Sequence, residues 1–200
     1  MATVGSRSTW AVAVIPLVVA AAALAGGVIA GQFRGTDPEA FRADLATGEI
    51  VRVADIAAGE LPARGVFVQT TQAGQVCLWD APSASSRQRG GGCNSADDPL
   101  GGSALSASLA YEGGPDTADV RDARLIGLAS RDVTAIEVAM SDGTRRDVRL
   151  EKAKLDSGEY VAFGYRIRRA DLRQGVGPTA VLALDADGTE IARQATGIGG

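Results

Sequence analysis

The stretch DVTAIEVAMSDGTRRDVRL, residues 132–150, carries the pattern that decides the fold. In its first arm Ile136, Val138 and Met140 recur at every second position, and in its second arm Val148 and Leu150 do the same. Period-two alternation marks a strand with one buried face. Between the arms stands Ser141-Asp142-Gly143. Asp-Gly is the strongest short-range hairpin signal, because the turn needs backbone conformations that glycine adopts at little cost. The segments TAVLALD (179–185) and TEIARQA (189–195) meet in the same way across Ala186-Asp187-Gly188. The two units look alike, but two copies of a common hairpin do not make a repeat.

Upstream the same grammar continues. EIVRVADI (49–56) alternates weakly, and GVFVQTT (65–71) and QVCLWDA (75–81) join across Gln72-Ala73-Gly74. SALSASLAYEG (103–113) sets Leu105, Ala107, Leu109 and Tyr111 against small polar residues; ARLIGLA (123–129) and EYVAFGYRI (159–167) are further runs. RRADLRQG (168–175) is the one helical turn expected among them. About nine or ten short strands with turn signals between them predict an all-β fold, an antiparallel β-sandwich or barrel of about 150 residues. No strand alternates with a long helix, which argues against a doubly wound α/β fold. The aromatic share is only 4%, so Val, Leu, Ile and Ala must build the core.

Residues 8–33 contain no charge, and their middle, WAVAVIPLVVAAAALAGGVIA (10–30), is 21 residues long. As a helix it would span roughly 30 Å, about one bilayer core. Arg7 precedes it, Arg34 follows it, and Asp37 and Glu39 come soon after. The positive-inside rule then places residues 1–9 in the cytoplasm as a tail, 10–30 as one transmembrane anchor, 31–48 as a juxtamembrane linker and 49–200 as an extracytoplasmic domain. In the linker Asp37-Pro38-Glu39 can start a short helix with Phe41 and Leu45 on one face. A cleavable signal peptide is the competing reading, with small residues at Val28 and Ala30 or at Ala23 and Ala25 near a cleavage site. Lipidation is not expected, since Gly27 stands in LAGG (24–27) where a lipidated cysteine would be. Both signal readings export the remainder of the chain.

Cys77 and Cys93 are the only cysteines. A zinc site wants close pairs and four ligands, and a thioredoxin-type pair wants C-x-x-C; neither spacing is present. An exported chain with two cysteines flanking LWDAPSASSRQRGGG (78–92) reads as a disulfide that staples a polar, glycine-rich span. Two buried free thiols are the alternative.

The chain has no histidine. That removes the usual neutral-pH general base and the commonest metal ligand, and with them Ser-His-Asp and Cys-His catalysis. No G-x-S-x-G, S-x-x-K, P-loop or dinucleotide fingerprint is present. DADGTE (185–190) resembles the start of a calcium loop, but position 12 is Thr196 where a bidentate Glu is required. Asp97 and Asp98 share one loop, and Asp116, Asp119 and Asp122 crowd another. Of these, Asp97, Asp98, Asp116 and Asp119 are the candidate ion or small-ligand residues, with solvated loop acids as the plain alternative. Arg145, Arg146 and Arg149, and Arg166, Arg168 and Arg169, form two basic clusters that can meet phosphate, an anionic polymer or lipid headgroups. Beyond residue 30, however, 19 basic side chains face 24 acidic ones. That balance argues against a nucleic-acid partner.

Cys77-Leu78, Cys93, the hairpin within residues 127–148 and the closing hairpin of 185–193 together resemble a group of actinobacterial membrane-anchored envelope proteins of unknown function. The resemblance implies an extracytoplasmic β-sandwich and assigns no activity, cofactor or site residue. The combined expectation is a non-enzymatic interaction or sensing module of the cell envelope. It binds the membrane through residues 10–30, needs no cofactor, and meets an envelope protein or cell-wall partner. An ion- or small-ligand-binding domain using the acidic loops, or a structural subunit of a membrane complex, is the alternative.

Overall fold

The computed structural model describes residues 48–87, 89–114 and 116–198. The expected tail, the anchor at 10–30 and all but the end of the linker lie outside those residues. Among the described residues no helix is long and apolar enough to cross a membrane.

The fold is all-β and antiparallel, as expected, but the number of strands and their layering differ from the expectation. Among the described residues, twelve strands form three four-stranded sheets. The first sheet runs β1 (Val51–Ile56), β2 (Arg64–Thr70), β3 (Gln75–Ala81) and β4 (Gly90–Ser95), in that order. The second and third draw on β5 (Leu105–Gly113), β6 (Val120–Ser130), β7 (Ala135–Met140), β8 (Arg145–Val148), β9 (Leu150–Leu155), β10 (Gly158–Arg166), β11 (Pro178–Leu184) and β12 (Glu190–Ala195). Their orders are β5-β6-β10-β9 and β12-β11-β7-β8. A 3-10 turn (Thr117–Asp119) precedes β6, and a short helix, α1 (Arg169–Arg173), follows β10.

The three hairpins anticipated from turn residues form. Gly74, Gly143 and Gly188 take φ of 69°, 81° and 76°, the left-handed region that closes a three-residue loop. Asp142 accepts hydrogen bonds from the Thr144 amide (2.9 Å) and hydroxyl (2.6 Å), which holds its carboxyl below the ordinary carboxylate range. In the closing hairpin the Asp185 carboxylate accepts from the amides of Asp187 and Thr189, at 3.0 and 2.9 Å.

The second sheet is the middle layer, and its central strands β6 and β10 bury residues on both faces. Along β6, Ala123, Leu125 and Ala129 pack with Ile136, Val138 and Val181 of the third sheet. Ile126 and Leu128, pointing the other way, pack with Val53, Val66 and Val68 of the first. In β10 the neighbours Ala162 and Phe163 divide in the same manner. A strand buried on both sides needs a continuous apolar run rather than alternation, and ARLIGLA is that run. Gly127 makes the double packing possible: a Cβ there would stand 2.3 Å from Phe163 Cζ and 2.7 Å from the Ser106 carbonyl oxygen. Gly127→Ala is therefore expected to lower stability by about 1–3 kcal/mol through overpacking, read as a lower urea midpoint at unchanged slope. On the edge strand β5, Ala107 turns its amide and carbonyl outward. The Gln194 side-chain amide bonds both, at 2.7 Å each, tying β12 to an edge that would otherwise be open.

The outer face of the first sheet holds a smaller core of Phe67, Cys77, Trp79 and Ala81. Phe67 and Trp79 lie with centroids 6.2 Å apart, and the Arg89 guanidinium sits 4.9 Å over the indole. Arg89 is itself bound to the carbonyls of Ser86 (2.9 Å) and Ala84 (3.0 Å), so part of the span between β3 and β4 folds back as cover.

Candidate functional site

Cys77 and Cys93 stand directly opposite each other on β3 and β4 and form a disulfide. The four candidate acids do not converge. Asp97 and Asp98 are exposed between β4 and β5, while Asp116 and Asp119 are exposed between β5 and β6. The two loops lie at opposite ends of the nine-residue β5. At roughly 3.3 Å per residue that strand alone separates them by well over 20 Å. Among the described residues no three Cys, Asp or Glu gather to hold a metal ion. Asp97 does line a depression of about 210 Å3 with Thr70, Val76, Ala96, Asp156 and Ser157.

The densest ionic structure lies elsewhere, across the interface of the first and second sheets. Asp80 on β3 is fully buried and is paired with Arg64 of β2 and with Arg124 of β6, the latter through Nε at 2.8 Å. Arg124 also reaches Asp122 and, at 3.3 Å, Glu112 of β5. Asp122 Oδ1 lies 3.1 Å from Nε of Arg166 at the end of β10. Three guanidiniums thus meet three carboxylates in one chain with no formal net charge. Burial of ions is costly unless each finds partners. For Arg124 burial pushes the guanidinium pKa down more than any other single influence. Asp80, Asp122 and Glu112 together outweigh it, leaving the pKa above its ordinary value and the side chain charged.

This chain continues into a surface. The Arg166 guanidinium donates to the carbonyls of Ala57 (3.3 Å), Leu61 (3.0 Å) and Pro62 (3.0 Å), pinning the β1–β2 loop. That loop carries Glu60, whose two carboxylate oxygens bind Arg173 at 3.1 Å and Arg169 at 3.3 Å on α1. On α1 itself, between Arg169 and Arg173 in sequence, one carboxylate oxygen of Asp171 lies 3.1 Å from Arg168 and 3.9 Å from Arg146. Arg146 comes from β8, so residues from both basic clusters of the sequence meet here. Tyr165, half-buried at the end of β10, has its phenol pKa raised by burial, against opposing influences from Arg168 and Arg146. The clusters do not move as units: Arg166 turns inward to the buried chain, and Arg145 pairs with Glu137 at 2.8 Å. The result is an exposed arginine ledge resting on a buried ionic frame.

The sequence alone groups Arg166 with the surface cluster and does not single out Asp80, Arg124 or Glu60. The available signal was a charge in an inward position of an apolar strand, Asp80 in QVCLWDA and Arg124 in ARLIGLA. Pairing such charges requires knowing which strands pack, and Arg166 and the Leu61 carbonyl are 105 residues apart in sequence. The ledge offers many N–H donors and can recognise an anion. No family model matches the chain, and no curated protein or solved structure proves similar to it.

Proposed function

We propose that the chain is a membrane-anchored extracytoplasmic interaction or sensing module of the cell envelope, non-enzymatic, whose β domain works outside while residues 10–30 hold it to the membrane. The observation that carries the proposal is the Cys77–Cys93 disulfide, because such bonds persist in oxidising compartments and are rare in the cytosol. The charge-free run at 8–33 supplies the means of export. The resemblance to actinobacterial envelope proteins, drawn from the cysteine pair and the two Asp-Gly hairpins, points to the same compartment. The ionic groups of the site support a binding role over a catalytic one. Each of its carboxylates is held by arginine rather than facing a nucleophile or a second acid across a cleft.

Topology is directly testable, because Lys152 and Lys154 are the only lysines and both are exposed. A membrane-impermeant amine reagent applied to intact cells is expected to label these two residues and to leave the chain's amino terminus unlabelled. Labelling of the lysines only after lysis would overturn the placement of the domain.

A further inference from the structure

We propose that the α1 end of the domain, formed by Arg146, Arg168, Arg169 and Arg173 on the shared carboxylates of Glu60 and Asp171, is a docking surface for a linear polyanion of phosphodiester units. The inference deepens the reading of the chain as an extracytoplasmic module and rests on it.

Each carboxylate of the ledge holds two guanidiniums, so four positive groups are organised by two negative ones. The acids orient the arginines without cancelling them. The side chains of Arg168, Arg169 and Arg173 stay 61%, 44% and 60% exposed. A guanidinium has five N–H donors in a planar fork that fits phosphate oxygens two at a time. Arg169 uses one Nη atom on Glu60, and Arg173 uses its Nε on the Arg169 carbonyl and one Nη on Glu60. Donors therefore remain on both, one helical turn apart on the same face. Arg146 Nε is buried without a hydrogen-bond partner, so one donor at the base of the ledge is unused. Rigidity comes from below, through Arg166 and the β1–β2 loop that presents Glu60. The 3-10 turn packs against α1, and with exposed Asp119 and its N-cap Asp116 it brings two acids near the patch.

The ledge also stands apart from the point where the described chain begins. The described chain begins at Gly48, whose carbonyl accepts from the Gln69 side chain at 2.7 Å, beside the end of β2. The ledge lies past the start of that strand, at Arg64. Seven strand residues, roughly 20 Å, separate the two ends. The ledge and the start of the described chain therefore lie at opposite ends of the first sheet, which leaves the ledge open to an extended polymer without the N-terminal segment in the way.

The test uses the full-length chain in non-ionic detergent with fluorescent long-chain inorganic polyphosphate as probe, read by anisotropy over a salt series. The double variant Arg169→Gln/Arg173→Gln is expected to bind about tenfold or more weakly, with a salt slope smaller by about two, one per lost phosphate contact. A control pair of exposed arginines elsewhere, Arg52→Gln/Arg193→Gln, is expected to bind as the parent does. All these side chains are largely exposed, and thermal midpoints confirm that the variants fold. Absence of saturable binding by the parent, or equal loss in both pairs, overturns the proposal. So does arginine-dependent binding to phosphatidylglycerol vesicles without binding to the polymer, which makes the ledge a lipid contact. Failure here leaves the extracytoplasmic reading standing, because lysine labelling reports topology without any ligand.

Discussion

Asp80→Asn is expected to destabilise the domain by about 3–5 kcal/mol, the usual cost of breaking a buried ion pair from one side. The substitution nearly preserves shape and removes only charge. Arg64 and Arg124, whose side chains are 10% and 4% exposed, would then share a neutral amide in place of the carboxylate between them. Arg124 keeps Asp122 and Glu112, but its burial was offset by all three acids. The effect should be transmitted beyond the first sheet, because Arg124 links Asp80 to Asp122, and Asp122 links to Arg166 and the β1–β2 loop. Urea unfolding measures the loss. A double-mutant cycle separates pair from site: Asp80→Leu combined with Arg124→Met should cost less than the sum of the two single changes. A loss under about 1 kcal/mol for Asp80→Asn, or strict additivity in the cycle, would show that the ionic chain is incidental to stability.

The second large effect attaches to the disulfide. Cys77→Ser/Cys93→Ser is expected to cost about 3 kcal/mol, the loop-closure contribution for a span of about 15 residues. The loss should concentrate in β4. That strand opens with Gly90, Gly91 and Gly92, which have little intrinsic tendency toward strand and no side chains to bury. At Gly91 the crowding is such that a Cβ would lie 2.0 Å from the Leu78 carbonyl oxygen, so glycine cannot be exchanged for a better strand former. Without the bond, β4 should fray from β3 before the sheets part, and Trp79 should lose cover. Amide exchange in residues 90–95 should accelerate well before global unfolding. In a Trp10→Phe background, Trp79 fluorescence should shift to the red. Uniform exchange across the domain would contradict a local role for the bond.

Much of this architecture was legible along the chain. Turn chemistry placed the hairpins at Gly74, Gly143 and Gly188, since a left-handed residue is a local requirement and glycine meets it locally. The cysteine pair was readable because spacing eliminates metal and redox motifs. β4 was not readable: GGGCNS carries no strand propensity, and its pairing is imposed by β3 and the disulfide. The third layer was hidden for a related reason. Alternation placed Ile136, Val138, Met140 and Val148 correctly on one buried face, but it carried the second arm too far: Leu150 is half-buried and opens β9 of the second sheet. Two sheets and three also produce the same alternation in an outer strand. Only the continuous run 123–129 hints at a middle strand, and on its own such a run does not tell a middle strand from any other buried one. The candidate acids were visible as composition while their separation by the length of β5 was not. The arginine ledge needed contacts between residues more than a hundred positions apart, as between Glu60 and Arg169. Basic clusters on the sequence gave its ingredients without their grouping, and the inward turn of Arg166 divided one cluster between frame and surface.

The central claim is that this domain folds and works in an oxidising compartment. The most direct test is thiol mass-tagging of the full-length protein, released from intact cells under denaturation with free thiols trapped at once. The account predicts no tag without reductant and two tags with it, since Cys77 and Cys93 are the only cysteines and are bonded to each other. Two tags without reductant would mean that the cysteines are unpaired in the cell. The extracytoplasmic placement would then lose its principal support.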